Sequence, residues 1–185
     1  MKKTILVIDC VYDFINGSLA CQHSEEAVQN IIKYINAHQE DQVIYVREVH
    51  PANHCSFSEQ GGMWPAHAVE GTRGCELHAD FLCKIEDTQQ RPNDKNVFIK
   101  GKNPEVEEYS GYEGKNSYGE CLVKNLSKEI VIAGIATEYC VLNTLNDLVA
   151  NGFRITLLEE GLGCVEEEGH KKTIQDLKVR KINII

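Results

Sequence analysis

Three residues of this chain have the types that acyl transfer requires: a carboxylate, Asp9, in "VIDCVYDF"; an ammonium, Lys100, in "FIKGKNP"; and a thiol, Cys140, in "GIATEYCV". A nucleophile, an acid/base and a cation are the minimum set for that chemistry. Cys140 falls in the first turn of a helix predicted to begin near Thr137 or Glu138, where unpaired N–H groups and the helix dipole favour a thiolate. Lys100 on the same rim is expected to lower the thiol pKa further, while Asp9 takes the proton and hands it to a leaving group. Position alone leaves each open to a structural role: Cys140 as a core thiol, Asp9 as a strand-end cap, Lys100 as a solvated charge.

A second constellation lies in "EVHPANH" and "MWPAHAVEGTRG". Glu48, His50, His54 and His67 offer one carboxylate and three imidazoles within twenty residues, a donor set for zinc, iron or manganese with positions left open. The other reading is that these histidines are polar loop residues. His23, His38 and His78 have no partner pattern and read as surface residues. Phe14, Trp64 and Tyr109 could line an apolar pocket over a flat substrate, and Glu166-Glu167-Glu168 reads as a solvated first helical turn.

The elements that must position these groups are legible as apolar runs. Ile5–Ile8, Val43–Val46, Val97–Ile99, Ile130–Ala133, Ile155–Leu158 and Ile182–Ile185 read as buried parallel strands. Val28, Ile31, Ile32 and Ile35 keep helical spacing behind a predicted Ser24 cap, and Val141, Leu142, Leu145, Leu148 and Val149 do so up to Asn151-Gly152. Shorter helices are predicted around 117–126 and 166–177. The alternation implies an α/β fold: a three-layer, doubly wound, mostly parallel six-stranded sheet with helices on both faces. Residues 1–185 read as one domain, with an irregular insertion over about 49–95. Ligands in such sheets bind beyond the carboxyl ends of the strands. There the first four strands deliver Asp9, then Glu48 with His50, then Lys100, then the turn holding Cys140.

Composition narrows the classes of function. The net charge of −9 excludes a general phosphate-backbone binder, so no nucleic-acid partner is expected. The opening apolar run meets Asp9 too soon for an export signal or membrane span, so a cytoplasmic protein with no membrane partner is expected. Eight cysteines without a Cys-x-x-Cys pair then read as reduced core residues.

Taken together, "VIDCVYDFINGSLA", "HPANHCSF", "WPAHAVEGTRG", "FIKGKNPEVEEYSGYEG" and "GIATEYCV" resemble the nicotinamidase branch of the isochorismatase-like cysteine hydrolases. The resemblance covers nearly the whole chain. It implies a C–N hydrolase for linear amides that turns nicotinamide into nicotinate and ammonia for NAD salvage, through a thioester on Cys140. It implies that Asp9 is the proton carrier and Lys100 the residue holding both in register, with the Ala136 and Cys140 N–H groups as oxyanion hole. The Ile135–Ala136 peptide is implied to be cis, with both residues at the substrate. One divalent metal, zinc foremost, is implied on Glu48, His50 and His67, with His54 as a further ligand. A homo-oligomer is also implied. Two differences from the family pattern stand out: Glu48 occupies a position usually held by aspartate, and Val11-Tyr12 replaces Gln-Asn. They motivate two other readings, a cysteine amidohydrolase for another small amide or carbamoyl compound, and a non-catalytic descendant that binds a metal or a ligand.

Overall fold

The computed structural model describes residues 2–185, in which six strands form one sheet. In chain order the elements are β1 (Thr4–Ile8), α1 (Tyr12–Ile15), α2 (Ser24–Ala37), β2 (Gln42–Glu48), α3 (Asp80–Cys83), β3 (Val97–Lys100), β4 (Glu129–Gly134), α4 (Leu142–Ala150), β5 (Arg154–Leu162), α5 (Glu167–Val179) and β6 (Asn183–Ile184). The strand order is β3-β2-β1-β4-β5-β6, and every neighbouring pair is parallel.

The layers follow from side-chain alternation along each strand. Ile5 and Val7 of β1 face a core shared with Val28, Ile31 and Ile35 of α2. Leu6 and Ile8 face the opposite core, with Leu145 and Leu148 of α4 and Ile174 and Leu177 of α5. Because both faces are covered, the inner strands read as unbroken apolar runs rather than as alternation. The edge strand β6 is only half-covered.

Three predicted details differ. Ser24 does not cap α2: it is the first helical residue, and His23 in a left-handed conformation (φ 58°) precedes it. The Ser24 hydroxyl is instead directed at the Cys21 and Ile15 carbonyls, at 2.8 and 3.2 Å. The helix predicted around 117–126 is a single 3₁₀ turn, Leu122–Lys124. Lys115 bridges to both Ile99 and Cys121 there, so extended backbone pairs the groups a helix would need. The segment between β2 and β3, for which an irregular insertion is predicted, contains α3 and two 3₁₀ turns, Ser58–Gln60 and Arg73–Cys75.

The chain leaves β1 for β2 on one side and β4 for β5 on the other, so the crevice of the fold opens between β1 and β4. Gly134 ends β4 at φ +134°, and a Cβ there would lie 2.0 Å from the Ile8 carbonyl oxygen. Only glycine lets the two strand ends come so close. The Ile135–Ala136 peptide that follows is cis, in line with the resemblance.

Candidate active site

Each reactive group lies at or beyond the carboxyl end of a strand. Asp9 follows β1 with φ +47°, a left-handed turn that asparagine and aspartate tolerate better than most residues. Lys100 ends β3, and Cys140 lies in a π-helical turn, Thr137–Val141, between β4 and α4. The register Glu48↔Lys100 places the second strand's carboxylate beside the lysine. The predicted rim therefore forms.

Lys100 is 2% exposed and its Nζ is the hub of the group. It lies 3.1 Å from Asp9 Oδ2 and 3.6 Å from Cys140 Sγ, pairs closely with Glu48 Oε1, and donates to the Glu108 carbonyl at 3.2 Å. Burial opposes its charge, but Asp9, Cys140 and Glu48 outweigh that and hold the ammonium well above its ordinary pKa. Asp9 is fully buried, and among the described residues neither of its oxygens has an aligned hydrogen-bond donor. Burial accordingly lifts its carboxyl to about 6, against the pull of Lys100 and with help from Glu48. A buried acid poised near neutrality suits a proton carrier.

The expectation of a lowered thiol pKa does not hold. Burial pushes Cys140 well above the ordinary thiol value, and Lys100 offsets only part of that while Asp9 and Glu48 add to it. Desolvation outweighs the cation and the helix end. The thiol therefore rests neutral, and becoming a nucleophile requires a nearby base.

Three atoms converge on a second point. His50 Nδ1 lies 2.8 Å from the Gly101 carbonyl and His67 Nδ1 2.7 Å from the Pro65 carbonyl, so in the neutral rings both Nδ1 atoms donate. Each Nε2 then presents a lone pair, and each is 3.4 Å from Glu48 Oε2. Two lone pairs and a carboxylate oxygen facing one another, all buried, form a donor set for a divalent cation, with the outer-shell contacts that fix ligand rings. Burial alone would raise the Glu48 carboxyl, but the Lys100 ammonium beside it holds it well below the usual carboxylate range.

His54 stands outside that set. Its Nδ1 accepts from the Ser56 N–H at 3.2 Å and contacts Ser56 Oγ at 2.7 Å, while its Nε2 donates to the Val106 carbonyl at 3.1 Å. With both nitrogens engaged, its ring stacks on His50 instead, centroids 3.8 Å apart. His78 departs from the surface reading: its side chain is 12% exposed, tilted against Tyr12 and near Glu25 and Asp80. Asp80 is already committed to Lys84 and Gln29, at 2.7 and 2.8 Å. His23, exposed as expected, is paired with Glu167, and His38 contacts the Tyr34 carbonyl at 2.8 Å.

Between these two points opens a pocket of about 430 Å³ including its mouth. Phe14, Trp64, Tyr109, Ile135 and Ala136, all singled out in the sequence, line it with Cys140. Trp64 and Tyr109 pack on Tyr139, centroids 5.1 and 5.4 Å apart, and Phe14 lies against His67. The Ala136 N–H has no hydrogen-bond partner among the described residues. Sequence reasoning missed Tyr139, Glu107 and Glu108 in this wall. Their signal was adjacency, since they lie within the two segments that carry Cys140 and Lys100.

Comparison with known proteins agrees with this architecture. The isochorismatase domain model matches residues 3–184. The nicotinamidase of Escherichia coli is 29% identical over 182 residues, covering 86% of this chain and 82% of its own. The structure of the pyrazinamidase of Pyrococcus horikoshii in complex with zinc superposes with a TM-score of 0.84 at 31% identity, covering 100% of this chain and 99% of its own. PnC1 from L. infantum in complex with nicotinate gives 0.82 at 26% identity, covering 100% and 92%. With the same sheet and a family match over almost its full length, this chain belongs to the isochorismatase family.

Proposed function

We propose that the protein is a metal-dependent amidase that hydrolyses nicotinamide to nicotinate and ammonia, the chemistry its relatives' names carry. The observation that supports this most is the convergence of Asp9, Lys100 and Cys140 on one side of an aromatic-walled pocket with the Glu48, His50 and His67 donors on the other.

The amide lies between the aromatic walls with its carbonyl carbon at Cys140. Asp9 takes the thiol proton as Sγ bonds to that carbon. The oxyanion that develops is met by the N–H groups of Ala136 and Cys140, donors already in place before charge appears. The C–N bond breaks as Asp9 returns the proton to nitrogen, releasing ammonia and leaving a thioester on Cys140. Water, deprotonated by Asp9, attacks the thioester; nicotinate leaves and the thiol is restored. Lys100 keeps Asp9 and the sulfur in register and offsets the negative charge between them. Glu48, His50 and His67 would hold the divalent metal, with zinc the first choice because one relative's structure is a zinc complex. When bound, that metal supplies a Lewis-acid contact for the ring nitrogen of the substrate. Residues 1–185 act as one catalytic unit, and eight free cysteines suit a reducing, cytoplasmic setting. Among the described residues no helix is long and apolar enough to cross a membrane.

A substrate panel tests the reading. Zinc-loaded protein is expected to turn over nicotinamide well ahead of benzamide, which lacks the ring nitrogen, and ahead of N-carbamoyl compounds. Preferential turnover of a carbamoyl compound, with nicotinamide ignored, would replace nicotinamide as the substrate.

A further inference from the structure

The proposed reaction converts a neutral amide into an anion, and it does so inside a wall of carboxylates. The lining residues include Glu48, Glu107 and Glu108, and neither lysine nor arginine. Lys100 lies buried beside the wall, its Nζ committed to Glu48, Asp9 and the Glu108 carbonyl. Glu48 belongs to the metal donor set, so the reaction accounts for it. It does not account for the other two.

Glu108 is pinned inward, its Oε2 accepting the Gly101 N–H at 3.0 Å. Glu107 sits at the exposed mouth, yet it is not loose. Its Oε1 accepts the Trp64 indole N–H at 3.0 Å and also the Tyr109 hydroxyl, which itself lies 3.1 Å from the indole nitrogen. Two of the aromatic walls thus hold one carboxylate at the solvent-exposed edge of the pocket.

We propose that Glu107, steadied by Trp64 and Tyr109, is a specificity-determining residue that discriminates against anionic ligands, so that the neutral amide is admitted and the acid it becomes is expelled. The inference rests on the amide-to-acid reading above. A fixed charge in the wall barely changes the affinity for a neutral ligand, whereas a carboxylate bound in the same pocket is repelled by the like charge and held less tightly. The effect is local and screened by salt, whose Debye length shrinks from about 10 Å at 0.1 M to about 3 Å at 1 M. Both features separate it from the diffuse influence of a net charge of −9.

The test uses the zinc-loaded Cys140→Ala protein, which cannot turn substrate over, with Glu107→Gln or the distant surface change Glu159→Gln added. Glutamine keeps an acceptor oxygen for Trp64 and Tyr109 while removing the charge, and the two variants change net charge equally. Calorimetric titration gives the affinities for nicotinate and nicotinamide at low and high salt. The expected result is that Glu107→Gln tightens nicotinate relative to nicotinamide by about threefold at low salt, with the gain shrinking at high salt, and that Glu159→Gln does not. Equal shifts for both ligands, an unchanged ratio, or the same gain from Glu159→Gln would overturn the proposal while leaving the amidase reading intact. If wild-type protein releases no ammonia from nicotinamide and neither ligand binds, the proposal falls with the reading it rests on.

Discussion

At 4% exposure the Cys140 thiol has almost no contact with water, and burial keeps it protonated well above its ordinary value. On the proposed mechanism its reactivity comes from Asp9, whose carboxyl burial lifts to about 6. The sign of the pH dependence follows. Asp9 must be ionised to accept the thiol proton, so kcat/KM is expected to rise with pH through about 6 and to fall about tenfold for each unit below it. Asp9→Asn should lose at least ~10³-fold in kcat and this acid limb with it. A pH–rate profile checks both, and a limb retained in the variant would assign it to another group. The residue types were readable from the sequence because each follows an apolar run. The thiol's charge state was not, since it depends on desolvation by residues scattered through the chain. His54 shows the same limit: its spacing suits a ligand, but Ser56 and Val106 occupy its ring nitrogens.

Among the elements, the strand ends provide positioning and the turns after them set the angles. Gly101, directly after β3, illustrates this: its carbonyl orients His50 through Nδ1, and at φ +80° a Cβ would meet His50 Nδ1 at 2.7 Å and Cε1 at 2.6 Å. Gly101→Ala is therefore expected to turn His50 off the metal point and weaken zinc affinity by about 10- to 100-fold, the range usual for lost ligand-orienting contacts. Competition against a chromophoric chelator measures this, and unchanged affinity would remove Gly101 from the account. The sheet itself was legible: all six strands fall on the predicted apolar runs, because burial on both faces leaves a continuous signal. The chain from 49 to 96 was legible only as irregular. Its order comes from long-range contacts such as the Ala68 N–H donating to Asp13 at 2.8 Å, which no local pattern announces. The helix missing near 117–126 has a similar cause, since Cys121 pairs with Lys115, itself paired with Ile99, and this overrides local preference there.

For the whole molecule, the crevice between β1 and β4 gathers parts that lie far apart in sequence. The proposed hydrolytic centre and the proposed cation site share Glu48, with one oxygen turned to Lys100 and the other to the two imidazoles. On the proposed reading metal and catalysis are joined through one side chain, a longer one than the aspartate usual in the proteins this sequence resembles. The measurement that bears most directly on the account is ammonia release from nicotinamide by wild-type protein and Cys140→Ala, each zinc-loaded, beside chelator-treated wild type. Turnover is expected from the loaded wild type, none above background from Cys140→Ala, and impaired turnover after chelation that zinc restores. Turnover persisting in Cys140→Ala would contradict the thioester route, and a silent zinc-loaded wild type whose Cys140 still reacts with a small alkylating agent would contradict the substrate.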